Sequence, residues 1–251
     1  FNLIYLFLLM RSLKKFKFSK IYDLQNSNRT SFYKNILFKN SNKDVWSSSI
    51  TTLPDNKTKE QFDKLSVLDR FEHQLNASNL KTNHTKLPNF SWACTDISKI
   101  KLIYNLDKYI LLFPFCSPHL TIKKWPYYND LIKKIRDNYN EQFKIVIAPG
   151  PMEIEASSKI NAESILDNGK ALNISQLSTL IKDSSFVIAN DTGPAHIAAH
   201  LGVKGLSLFG SHTSSKLVSI ERTNFKAIQV QDLGKLGADK VYERMVENLT
   251  K

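Results

Sequence analysis

No glycine precedes Gly150 in this 251-residue chain; all eight lie at or beyond it. A nucleotide-binding α/β domain normally carries glycines in its first strand-to-helix turn, and the N-terminal part shows none. The two cysteines, Cys94 and Cys116, form no CxxC pair. That excludes a zinc ribbon and fits a reduced, cytoplasmic compartment. Long apolar runs are missing too. The opening FNLIYLFLLM spans ten residues, half of the roughly 20 that a membrane-crossing helix needs. Its positive charges follow it, in RSLKKFKFSK, where a secretory leader would place them in front. It reads as an amphipathic helix packed inside a domain, with contact to an anionic membrane surface as the alternative. The first residue is not Met, and the expectation is a domain whose beginning lies upstream. Paired carboxylates of the D-x-D kind are also lacking, so no metal site is expected; His196 and His200, at i and i+4, have neither a following Glu nor a third ligand.

What is present is apolar and basic. The chain is 42% hydrophobic with three Trp, enough to bury real cores, and its net charge is +12. Such a balance points to an acidic partner: nucleic acid, an anionic membrane or a phosphorylated substrate. The first fifty residues hold nine Lys or Arg against Asp23 and Asp44.

KIYDLQ reads as a short strand leading into a helix over NSNRTSFYKNILF, with Arg29 in its first turns. Residues 40–105 are polar and weakly patterned, with one helix predicted over Lys59–Leu75 and a linker over Asn76–Ser91. From Tyr109 the pattern sharpens. YILLFP, KIVIAP, KALNI, FVIA, GLSLF and KAIQVQ read as strands. WPYYNDLIKKIRDNY, MEIEASSKINAESIL, SQLSTLIKDS (Ser175 as N-cap), PAHIAAHL and GADKVYERMVENL read as helices. Short apolar strands alternating with helices predict a parallel sheet covered on both faces. Boundaries are set at 1–105, 106–235 and a C-terminal helix over 236–251.

The junction FVIANDTGPAHIAAHLG carries the chemistry. In an open parallel sheet, ligands bind at the carboxyl ends of strands, where Asp191 falls. Gly193 permits close approach, Pro194 suits the first helical turn, and the free N–H groups with the helix dipole favour a phosphate. The competing local reading is that Asp191 and Thr192 only cap the helix.

Four stretches in order resemble glycosyltransferase family 9, the bacterial heptosyltransferases: YDLQNSNRTS (with Asn26 in place of a glycine), LLFPFCSPHLTIKKWP, IAPGPMEIE and NDTGPAHIAAHLGVKGLSLFG. The resemblance implies two Rossmann-like domains facing across a cleft (GT-B type), the N-terminal acceptor domain incomplete here. It implies an inverting transferase that moves a heptose or related sugar from a nucleoside-diphosphate donor to the phosphorylated core of lipopolysaccharide. It places the enzyme in the cytoplasm against the membrane, needing no cofactor, metal or nucleic acid. Carried over, Lys123 pairs with the donor diphosphate, its register to Trp125 favouring it over Lys124. Glu153, favoured over Glu155 by the G-P-x-E spacing, holds ribose hydroxyls. Ile174 packs on the base and Ser117 belongs to the donor-binding set. Asp191 meets the transferred sugar; Thr192, Gly193 and His196 line the diphosphate end; Arg29 faces acidic groups of the acceptor. Lys123 and Asp191 are the expected catalytic pair, and the family's general base is expected outside these residues. After LFG the usual Pro is replaced by SHTSSK. A sugar-nucleotide epimerase of the same architecture, which needs further carboxylates in the cleft, and a non-catalytic sugar-nucleotide or glycolipid binder are the alternatives.

Overall fold

The computed structural model describes residues 3–16, 18–25, 27–38, 45–49, 51, 53 and 56–250. Asn26 and Asp44 lie outside the described residues. The chain forms two compact units, residues 1–86 and 87–251.

The first unit holds helices α1 (Leu3–Lys14), α2 (Asn28–Leu37), α3 (Lys59–Asp63) and α4 (Val67–Ala77) with two short strands, β1 (Ile21–Tyr22) and β2 (Trp46–Ser47). The strands pair in parallel, Ile21 opposite Trp46. The buried Gln74 amide on α4 binds the carbonyls of Asp23 and Ser47 at 3.0 and 3.1 Å, stitching the helix to both strand ends. Ser27 and Thr30 close a reciprocal capping box on α2. Two expectations change. The single helix over Lys59–Leu75 is broken at Lys64–Ser66, because Ser66 starts a new helix by accepting from the Asp69 N–H. The apolar side chains of α1 are not packed in a core: Ile4 is 74% exposed, and Tyr5, Phe7 and Leu8 are exposed with it.

The second unit is one parallel sheet with helices on both faces. Its elements are α5 (Ser98–Ile103), β3 (Tyr109–Phe113), α6 (Tyr128–Tyr139), β4 (Lys144–Ile147), α7 (Ile154–Ser157), β5 (Glu163–Ser164), α8 (Ile174–Lys182), β6 (Phe186–Asn190), α9 (Gly193–Leu201), β7 (Gly205–Phe209), β8 (Phe225–Gln229) and α10 (Ala238–Leu249). The strand order is β5-β4-β3-β6-β7-β8. Because successive strand side chains point to opposite faces, the five longer strands feed two cores. Ile110, Leu112, Ile145, Ile147, Ile188 and Leu208 pack under α6 and α10. Tyr109, Leu111, Val146, Val187, Ala189 and Phe209 pack under α5, α8 and α9. All five residues of β3, of β6 and of β7 are buried, which is why they read as near-continuous apolar runs, interrupted by Asn190 and Ser207.

The division falls at 86/87 rather than 105. Ala93, Ile97 and Ile100 are buried, Ile97 and Ile100 in the α8–α9 core. Thr95 is tied to Thr179 of α8 by bonds of 2.9 and 2.6 Å in both directions. The C-terminal helix belongs to the same unit, with Val241 and Met245 in the α6 core. Within MEIEASSKINAESIL only one helical turn forms; the chain then enters β5, whose Ser164 pairs with Ile147. KALNI is not a strand, because Asn173 leaves it to cap α8. Asn173 accepts from the Gln176 N–H at 2.9 Å and receives the Gln176 side chain in return, so it, and not Ser175, is the N-cap.

Candidate functional site

The strand order reverses between β3 and β6: the chain runs outward from β3 to β4 and β5, then returns to the other side of β3 at β6. Such a switch point opens a crevice at the carboxyl ends of the two strands. Asn190, the last residue of β6, is fully buried and braces this crevice. Its Nδ2 donates to the Pro114 carbonyl at 3.0 Å, and its Oδ1 accepts from the Trp125 N–H at 3.2 Å and the Tyr128 hydroxyl at 3.3 Å. Trp125 is itself fully buried, its indole N–H on the Leu236 carbonyl at 2.7 Å. The Lys123 segment is thus held by its neighbour Trp125.

Lys123 Nζ sits 2.7 Å from Asp191 Oδ2, joining the loop after β3 to the loop after β6. Lys124 is exposed, whereas Lys123 is partly buried against Asp191. Asp191 is only 4% exposed, and two histidines reach it besides the lysine. His212 Nε2 lies 2.9 Å from Oδ2 and His196 Nε2 3.6 Å from Oδ1. Burial alone would raise the Asp191 carboxyl. The His196 ring, the Lys123 ammonium and the His212 ring together outweigh it and hold the group well below the usual carboxylate range.

Thr192 is the N-cap of α9, but its side chain makes no capping bond and turns back to the Asn190 carbonyl at 3.3 Å. The capping reading of Asp191 and Thr192 is therefore replaced: the Asp191 carboxylate is engaged by Lys123, His212 and His196. The Thr192 and Gly193 N–H groups find no acceptor among the described residues, and a Cβ on Gly193 would meet nothing within 4 Å. Two donors at the positive end of a helix thus face open space.

Beside them lies a pocket of about 260 Å³, lined by Phe113, Ser117, Gly150, Glu153, Leu177 and Thr192 among others. Glu153 is partly buried and Glu155 exposed. The Glu153 Oε2 accepts from the Gly150 N–H at 2.8 Å, leaving Oε1 free of protein partners among the described residues. Ile174 opens α8 and is 59% exposed; it lies outside the pocket wall, where Leu172 and Leu177 supply the apolar surface. Arg29 is exposed on the first turn of α2, in the other unit, its guanidinium 3.5 Å from Gln25 Oε1. Among the described residues no group of three or more His, Cys, Asp or Glu could hold a metal ion, and no helix is long and apolar enough to cross a membrane. His200 does not join the cluster; its Nδ1 takes the Arg222 guanidinium at 3.2 Å.

Sequence reasoning missed His212. It lies in the SHTSSK loop after β7, its ring stacked on Phe209 at 6.1 Å. Gln229, at the end of β8, holds that loop: its side chain donates to the Gly210 and Thr213 carbonyls at 2.7 and 3.2 Å and accepts from the Ser215 N–H at 3.1 Å. No local pattern announces either residue; the adjacency of β6 and β7 brings His212 to Asp191, and that of β7 and β8 brings Gln229 to the His212 loop.

The family model described as glycosyltransferase family 9 (heptosyltransferase) matches residues 6–235. A family 9 structure from Veillonella parvula is similar over 96% of this chain and 77% of its own, with a TM-score of 0.68 at 14% identity. The E. coli heptosyltransferase WaaC, solved with ADP, is similar over 95% of this chain and 75% of its own, with a TM-score of 0.63 at 15% identity. The E. coli ADP-heptose heptosyltransferase II gives a TM-score of 0.52 at 19% identity over 68% of this chain, which spans 53% of that enzyme's length. At these identities the likeness establishes the fold. No curated protein matches the chain.

Proposed function

Because the chain belongs to glycosyltransferase family 9, we propose that it binds a nucleoside-diphosphate sugar beside the β3–β6 crevice and transfers the sugar, a heptose or close relative, to a phosphorylated lipopolysaccharide-core acceptor. The observation that supports this is the meeting of Lys123, the unpaired Thr192 and Gly193 N–H groups and the Glu153 pocket at one switch point. In an inverting transfer the acceptor hydroxyl gives up its proton to a general base and attacks the anomeric carbon opposite the leaving diphosphate. The bond from that carbon to the β-phosphate oxygen breaks, and the departing nucleotide gains negative charge. A lysine, a helix N-terminus and His196 offset that charge electrostatically. No divalent ion is needed for this.

In this reading Glu153 Oε1 takes a ribose hydroxyl, Ile174 and the pocket leucines the base, Ser117 the nucleotide side of the pocket, and Asp191 a hydroxyl of the transferred sugar. Arg29 and the basic first fifty residues serve the acidic acceptor at a cytoplasmic membrane surface, where anionic lipid attracts Lys and Arg.

Calorimetry with ADP and UDP tests the reading. Lys123→Ala should weaken binding by about 1.5–3 kcal/mol, roughly tenfold to hundredfold, while Lys124→Ala should leave it unchanged. Binding by the unaltered chain should persist in EDTA. Equal affinity in the Lys123 variant, or loss in EDTA that magnesium restores, would overturn it.

A further inference from the structure

Asp191 has more partners than a buried carboxylate needs. Lys123 and His212 both address the same oxygen, Oδ2, at 2.7 and 2.9 Å, and His196 stands 3.6 Å from Oδ1. The two Oδ2 partners differ in access. The Lys123 side chain is 22% exposed, whereas that of His212 is 8% exposed. A Cβ built on Gly210 would lie 3.5 Å from both His212 Nδ1 and the Ile122 carbonyl, so the His212 loop packs directly against the Lys123 turn.

This arrangement bears on a problem that the proposed donor site creates. A lysine locked to a buried aspartate presents no net charge to a diphosphate. If that lysine leaves, it strands a buried charge, and breaking a buried pair from one side is strongly unfavourable. His212 answers both difficulties. By sharing Oδ2 it weakens the hold of Asp191 on Lys123, and by staying in place it keeps Asp191 partnered when Lys123 turns away. His212 Nδ1 is buried without a hydrogen-bond partner among the described residues, so the hydrogen bonding of the ring is committed to Asp191 through Nε2.

We infer that His212 is a positioning residue that releases Lys123 from Asp191 to a nucleoside diphosphate, an inference that rests on the donor-site reading above. It acts through Asp191 and touches no substrate. Gln229 supports it by fixing the Gly210–Ser215 loop.

The test is ADP affinity, measured by calorimetry on the full chain, in a cycle between His212 and Asp191. His212→Leu should weaken ADP binding roughly tenfold, as expected for a lost hydrogen bond to a charged group. His212→Gln, whose amide nitrogen reaches the place of Nε2, should recover affinity to within about threefold. In Asp191→Asn the lysine is no longer held by a carboxylate, so adding His212→Leu should cost nothing further. A residue that merely supported the fold would lower affinity by the same factor in both backgrounds, because independent effects add. Near-ultraviolet circular dichroism of each variant confirms that it is folded. An equal loss in both backgrounds, or a folded Gln variant as weak as the Leu variant, overturns the inference and leaves the donor site standing. Failure of the unaltered chain to bind ADP or UDP removes both.

Discussion

His196 and His200 stand one turn apart on α9 and meet opposite electrostatics. His196 faces the carboxylate of Asp191, while His200 faces the Arg222 guanidinium, which donates to its Nδ1 and so requires a lone pair there. Burial, the Arg222 charge and the neighbouring His196 push the His200 pKa from 6.5 down to about 4. The sign of the pH effect follows. As pH falls, the unfolded chain takes up a proton near pH 6.5 before the folded chain does. Stability is therefore full above the unfolded value and is lost progressively as pH drops towards 4. His200→Gln should abolish this segment of the pH dependence. Thermal melts at about pH 7.5 and about pH 5 check it: the unaltered chain should lose more stability between the two than the variant, and parallel losses would refute the assignment. At this scale the sequence ranked neighbours by register: the spacing to Trp125 favoured Lys123 over Lys124, and G-P-x-E favoured Glu153 over Glu155. It was silent about His212, because the local stacking on Phe209 gives no sign of the partner Asp191, 21 residues away.

Elements were legible where burial is complete. β3, β6 and β7 are buried throughout, and a short, mostly apolar run bounded by turn residues has one reading when it must be covered on both faces. Legibility failed where the element is an edge. β5 is two residues long and pairs only with β4, so its sequence needs no apolar run, and the apolar residues around it read as a helix. The start of α8 was misplaced by two residues because Ser175 and Asn173 are both capping types; the Asn173–Gln176 spacing was the signal that separated them. β7 carries a constraint of its own at Gly205. A Cβ there would fall 2.6 Å from the Val187 carbonyl and 2.7 Å from the Phe225 ring, touching both neighbouring strands. Neither can retreat, since Phe225 and Val187 are fully buried. Gly205→Ala should therefore cost on the order of 1–3 kcal/mol through overpacking, read as a lower urea midpoint with an unchanged slope. A midpoint equal to that of the unaltered chain would show that the sheet opens to admit a methyl group.

On the scale of the whole molecule, core and charge are divided unevenly. Both large hydrophobic clusters draw all their residues from Ile97 onward, and the six-stranded sheet lies wholly beyond Leu87. The first unit has a two-stranded sheet and leaves Ile4, Tyr5, Phe7 and Leu8 in contact with solvent. Such a short pair of strands is marginal without help from packed helices. Every side chain proposed for the donor, from Ser117 to His196, belongs to the second unit, as does His212. Residues 87–251 should then fold alone and keep the ADP affinity of the full chain to within about threefold. Limited proteolysis of the full chain should converge on a resistant fragment that begins near Leu87, since a domain with its own core outlasts the segment before it. The two measurements answer each other. A resistant fragment that binds ADP places the whole donor site in one unit. If residues 87–251 fold but fail to bind ADP while the full chain binds it, the first unit must contribute to the nucleotide site, and Arg29 would be the first residue to substitute.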